Sequence, residues 1–135
     1  MKVDDKNDIN YSDDNDLVSQ FVEWTSDALL ELRQFTDAMS ADTVQGSSDV
    51  QRLYDLVHNI KGMGTSFDFQ LMTVVGASLC NYIKSLGEGE AVNKRILDAH
   101  VRAFEVVLSN RIKGDGGPQG SALKARLEAI IQEEA

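Results

Sequence analysis

The stretch Val50-Gln51-Arg52-Leu53-Tyr54-Asp55-Leu56-Val57-His58-Asn59-Ile60-Lys61-Gly62-Met63-Gly64-Thr65-Ser66-Phe67 decides the fold. At about 100° per residue, Val50, Leu53, Leu56, Val57, Ile60, Gly64 and Phe67 gather around one direction, the pattern of a helix with one face in a core. A helix is expected over about 49–67. The turn Gln45-Gly46-Ser47-Ser48-Asp49 precedes it, with Ser47 or Ser48 ready to cap it.

The same period continues on both sides. Over about 16–40 the apolar residues Leu17, Phe21, Trp24, Ala28, Leu32, Phe35 and Met39 step by four or three. Thr25-Ser26-Asp27 could cap a new helix, so this segment is either one helix or a short one followed by a longer one. A third helix is expected over about 69–86 through Leu71, Met72, Val75, Leu79, Tyr82, Ile83 and Leu86, ended by Gly87-Glu88-Gly89. A fourth covers about 90–113 through Val92, Ile96, Ala103, Phe104 and Val107. β-Branched residues never alternate with polar ones over a strand's length. The fold class that follows is all-α: an antiparallel four-helix bundle with additional short N- and C-terminal helical segments.

Residues 1–14 are expected to be a disordered acidic tail, because Asp4, Asp5, Asp8, Asp13 and Asp14 repel one another and few apolar groups offset the cost of ordering. The bundle itself occupies 15–113, a Gly-rich linker 114–120, and an amphipathic C-terminal helix 121–135. Leu123, Leu127, Ile130 and Ile131 form one stripe on that last helix. So short a helix is marginal alone in water, so it packs either on the bundle's own side or on a partner helix.

Composition narrows the function. At 135 residues the chain is one ordinary domain. Thirteen Lys plus Arg stand against 22 Asp plus Glu, a net charge of -9 that the phosphates of nucleic acids and of anionic membranes would repel. A single cysteine, Cys80, excludes an internal disulfide, and two histidines with it make no zinc set. The acidic start has no apolar run after Lys2, so no signal peptide is expected, and no stretch approaches the roughly 18 apolar residues of a membrane span. A soluble cytoplasmic monomer is the expectation. A chain running from Met1 to just past its final helix is expected to act as a stand-alone protein.

On the helix of 49–67, His58 falls about 140° from the core direction, on the solvent side. Its neighbours one turn away are Gln51 and Tyr54 before it and Lys61, Gly62 and Thr65 after it. Glycine inside an exposed helix costs about 1 kcal/mol relative to alanine, and Gly62 has no turn to make. A bare position there lets a foreign surface approach the imidazole, while Lys61 supplies a mobile point charge suited to phosphate. Gly64 points to the core, where its role is close helix packing, and His100 lies near the apolar face beside Ile96, Ala103 and Phe104, a structural histidine. An exposed nucleophilic imidazole, an ammonium and bare backbone suit the acceptance and return of a phosphoryl group.

His58-Asn59-Ile60-Lys61-Gly62 resembles the H-x-L-K-G motif of the histidine-containing phosphotransfer (HPt) domains of two-component phosphorelays, and Gly64, Thr65 and Ser66 match the small residues that follow it. The likeness in motif covers about 50–86 and in architecture about 15–113; Asp68 stands where the family often has glycine, and the family's interior glutamine on the third helix is not identifiable. The resemblance implies a phosphorelay shuttle in which His58 is the phosphoacceptor and Lys61 offsets the phosphate charge. It implies response-regulator receiver domains and a hybrid sensor histidine kinase as partners. Gln51, Tyr54, Asp55, Gly62 and Thr65 then form the contact strip. No cofactor is expected on this chain; Mg²⁺ would come with the receiver. There is no P-loop and no kinase-type glycine loop, so the protein is a phosphotransfer intermediate rather than a kinase. A non-catalytic helical adaptor, with His58 incidental, is the alternative. A di-iron bundle is disfavoured because neither His58 nor His100 has a Glu three residues before it.

Overall fold

The computed structural model describes residues 14–40 and 42–134, so the acidic tail, Asp14 apart, lies outside the described residues. Among the described residues the structure is all-helical: α1 (Asn15–Asp37), α2 (Ser48–Gly64), a 3₁₀ turn (Thr65–Phe67), α3 (Gln70–Ser85), α4 (Lys94–Ser109) and α5 (Gly117–Glu134). An isolated bridge between Val44 and Ala91 is the only β-type pairing among them. No described helix is long and apolar enough to cross a membrane.

Side-chain chemistry sets the helix boundaries. Asp14, expected in the tail, instead caps α1, its carboxylate accepting from the Leu17 N–H at 3.0 Å. Ser47 caps α2 through Val50 N–H, and Asn93 caps α4 through the N–H groups of Arg95 and Ile96. That cap starts the fourth helix at Lys94 rather than near residue 90, and Arg111, at φ 49, lies just beyond its end. α1 is one continuous helix; Thr25 sits in its buried face instead of capping a second one. α5 begins at Gly117, inside the expected linker, with Pro118 in its first turn, where a missing N–H costs nothing.

Asp68 makes the turn between α2 and α3. It adopts the left-handed conformation (φ 65, ψ 31), which aspartate tolerates better than most side chains. Its carbonyl accepts from Gly114 N–H at 2.7 Å, and Gly114 O accepts from Leu71 N–H, so the start of the expected linker is tied to the α2–α3 turn. At the opposite end, Gln45 N–H bonds Glu90 O and Val92 N–H bonds Thr43 O, joining the α1–α2 and α3–α4 loops.

Pair contacts define the helix directions. Tyr54 meets Lys84 while Gly64 meets Thr73, so α2 and α3 are antiparallel. Phe21 stacks on Phe67 at 4.5 Å while Glu31 pairs with Arg52, which makes α1 antiparallel to α2. Ser78 meets His100 and Tyr82 Oη meets Asn93 N, so α3 and α4 are antiparallel too. Arg33 joins α1 to α4, bidentate on Glu105 (3.2 and 2.7 Å) and 2.6 Å from Asp98, and both carboxylates hold its guanidinium above its ordinary pKa.

The core follows the expected faces of α2, α3 and α4 closely. Val50, Leu53, Leu56, Val57, Ile60 and Phe67 are all buried, as are Val75, Leu79, Ile96 and Phe104. The α1 stripe is rotated: Phe21, Thr25, Ala28, Leu29, Leu32 and Thr36 are buried while Trp24 stays 37% exposed. A residue seven positions from Glu31, the partner of Arg52, Trp24 shares its outward edge over α2. α5 docks on α3 and α4, burying Leu127 and half-burying Leu123, Ile130 and Ile131.

Two glycines let α2 and α3 touch. A Cβ on Gly64 would lie 2.7 Å from Thr73 Oγ1 and 2.8 Å from the Phe69 carbonyl oxygen; a Cβ on Gly76 would lie 2.8 Å from Lys61 Cβ. Gly64→Ala should therefore destabilise the protein by about 1–3 kcal/mol through overpacking against backbone, although alanine is the better helix former. Urea denaturation checks this, and an increase in midpoint would contradict it.

Candidate functional site

The α2–α3 contact builds the surface around His58. Burial of the Val57 and Ile60 side turns residue 58 outward, and the imidazole is exposed. It stacks on Tyr54, one turn earlier, with ring centroids 6.1 Å apart and planes 24° apart. Its ring nitrogens have no hydrogen-bond partner among the described residues, so both are open to an incoming group. Tyr54 is half-buried.

Lys61 is half-buried, its stem lying against α3 at Gly76. Its carbonyl accepts from Thr73 Oγ1 at 2.8 Å, which adds a polar tie between the helices at the same level. A second cation, absent from the expected site, arrives from α3: Lys84 places its ammonium 5.8 Å from the Tyr54 ring centroid. The Tyr54 hydroxyl group nearby raises the Lys84 pKa above its ordinary value. Lys61 and Lys84 both act on the buried Cys80 thiol, whose pKa burial pushes up and the two lysines pull down. One lysine from each helix thus crosses the seam, Lys61 with its stem at Gly76 and Lys84 with its ammonium at Tyr54, one turn from His58. A sequence signal for Lys84 exists only in hindsight: it follows Cys80 by one turn on the helix facing α2.

The remaining strip residues divide. Gly62 is exposed, with nothing within 4 Å of where a Cβ would stand, so the backbone there is open to approach. Gln51 and Asp55 are exposed but bonded to each other (Nε2 to Oδ1, 2.9 Å) rather than to His58. Thr65 lies past the end of α2 in the 3₁₀ turn, 3.2 Å from Thr73 Oγ1, so it closes the helix junction rather than touching the imidazole. Among the described residues no three His, Cys, Asp or Glu side chains come together as a metal-binding group.

His100 is the opposite case. It is fully buried, with Nδ1 2.7 Å from Ile96 O and Nε2 2.8 Å from Ser78 Oγ. A carbonyl can only accept, so Nδ1 carries the proton and Nε2 accepts from the serine hydroxyl. Burial lowers the His100 pKa below its ordinary value, with the Ile96 bond opposing.

Comparisons of the chain with protein-family models, curated proteins and solved structures return no match.

Because the folded state holds His100 neutral, the unfolded chain binds the extra proton once pH falls below its ordinary value of about 6.5. The stability that this histidine contributes is complete above that pH and is lost as pH falls toward the depressed folded value. Two measurements check the sign: the His100 ring resonances should titrate below about 6.5 in an NMR pH series, and unfolding free energy should fall from pH 7 to pH 5.5 in wild type and His58→Gln alike. A rise in stability over that interval would contradict the assignment.

Proposed function

We propose that the chain is a histidine phosphotransfer protein, with α1 to α4 as an antiparallel four-helix bundle and α5 as an appended helix. In this reading it works in the cytoplasm as a monomer and passes a phosphoryl group between His58 and the aspartate of response-regulator receiver domains, loaded from a hybrid sensor histidine kinase. The observation that carries the reading is the exposed His58 imidazole, free of hydrogen bonds among the described residues, beside Lys61 and the open backbone of Gly62.

The chemistry asks little of the protein beyond position and charge. The neutral imidazole attacks with a ring-nitrogen lone pair, Nε2 in our assignment. An N–P bond forms as the P–O bond of the aspartyl phosphate breaks, and the bonding pair leaves on the aspartate carboxylate. The imidazole can then release its other ring proton to water. Lys61 offsets the phosphate charge, and Lys84, from the facing helix, adds a second cation on the same seam. Tyr54 limits the swing of the ring by stacking. Any Mg²⁺ belongs to the receiver. Transfer runs in either direction because the phosphohistidine and the acyl phosphate are both energetic.

Incubation with phosphorylated receivers should give acid-labile, base-stable phosphate on the chain. His58→Gln should abolish that label while leaving helix content unchanged, since an exposed side chain contributes little to stability. Undiminished labelling of this variant would leave the helical adaptor as the better reading.

Gly62 gives a second, independent check. With nothing near its Cβ position, Gly62→Gln should keep or raise the melting temperature, by up to about 1 kcal/mol of helix propensity. The same side chain would hold a receiver off the imidazole, and misplacement of reacting atoms that need to be about 3–3.5 Å apart can cost on the order of 100-fold in rate. A stable variant with wild-type transfer would show that the bare backbone has no part in docking.

A further inference from the structure

Away from His58, a groove of about 500 Å³ runs between α4 and α5. Its floor is apolar, with Ala99 and Val106 from α4 and Ile130 from α5, and Val106 is 50% exposed, one of the most exposed large apolar side chains described. Arg95, Arg102 and Arg126 edge it. These are three of the six arginines of a chain whose net charge is -9, against Asp98 and Glu133 on the same walls. Concentrating cations on an apolar strip runs against the charge of the whole molecule.

The existing pairings leave those cations available. Arg95 reaches Glu134 at 3.0 Å and Arg102 reaches Asp98 at 3.1 Å, but both side chains are more than 70% exposed, so these pairs are weak and exchangeable. Asp98 is shared with Arg33, which leaves Arg102 less than a full counter-charge. Arg126 makes no ion pair among the described residues. From Arg95 to Val106 is eleven residues, about 16 Å along α4 or three helical turns. A second cleft shares Arg102 and Val106 and extends the surface toward Arg33.

We propose that this groove binds an acidic amphipathic helix of a partner protein, about three turns long, with its apolar side on Ala99, Val106 and Ile130 and its carboxylates on Arg95, Arg102 and Arg126. Two parallel-sided helix walls with an apolar floor match the helix-in-groove mode of peptide recognition, and the arginines select the sign of the partner's charge. Nucleic acid and anionic membrane carry extended arrays of negative charge that also face the acidic surface outside the groove, whereas a three-turn helix covers the groove alone. α2 does not line the groove, so this interaction is separate from the phosphotransfer reading.

The test uses the full chain and a synthetic peptide of about twelve residues, with leucines spaced i, i+4, i+7 and glutamates between them. Titration into isotope-labelled protein should give saturable shifts centred on Ala99, Arg102, Val106, Arg126 and Ile130, and the affinity should fall as salt is raised. Arg126→Glu, at an exposed position, should keep the melting temperature and lose about fivefold or more in affinity. Val106→Gln removes an apolar anchor without changing charge and should weaken binding as well. His58→Gln should bind the peptide as wild type does. The proposal is overturned by an absence of saturable shifts, by equal binding of the same peptide with lysines for glutamates, or by unchanged affinity in Arg126→Glu. It is also overturned if the groove residues report self-association without peptide, or if phosphatidylserine vesicles displace the peptide.

Discussion

The close approach of α2 and α3 governs the rest of the structure. At Gly64 the absent side chain admits Thr73 and the Phe69 carbonyl, and at Gly76 it admits the Lys61 stem. Each glycine weakens its own helix, by about 1 kcal/mol relative to alanine, and that cost is offset only because packing gains more. Once the helices are in contact at Gly64, the rotation of α2 is set. Six residues at about 100° each place His58 some 120° from Gly64, which is why the imidazole faces out rather than into the seam. The Thr73 hydroxyl bonded to the Lys61 carbonyl holds the same level from the other side.

Charge is distributed with equal economy. The acidic surface would be self-repelling, and Arg33 offsets part of that by meeting more than one carboxylate. Arg33 bridges Asp98 and Glu105 across α1 and α4, half-shielded from water, where a bidentate guanidinium is strong. Lys61 lies against α3 at Gly76, and Lys84 of α3 reaches over the Tyr54 ring of α2, so each lysine crosses the α2–α3 seam.

The two histidines illustrate how position decides chemistry. His100 has both ring nitrogens engaged, by Ile96 O and Ser78 Oγ, and is shut away from water. It serves as a polar link between α3 and α4. His58 is exposed, stacks on Tyr54 and has no hydrogen bond among the described residues. Lys84 comes to this site from 26 residues away, so a motif read along one helix could not contain it.

Much of this was legible in the chain itself, because a helix writes its period into the spacing of apolar residues. The core faces of α2, α3 and α4, the outward turn of His58, the inward turn of Gly64 and the structural character of His100 all follow from that period. Where polar side chains are buried, the period misleads: Thr25 and Thr36 replaced Trp24 in the α1 core, since hydropathy alone ranks them the other way. Caps also act locally but compete with tertiary packing, so the start of α4 at Asn93 and the continuity of α1 through Thr25-Ser26-Asp27 were settled by the assembled fold. The seating of α5 on α3 and α4, the left-handed Asp68 tied to Gly114, the arrival of Lys84 and the arginine-edged groove depend on residues far apart in sequence. Helical periodicity says which side of each helix is apolar; only the packed structure says which helix it meets.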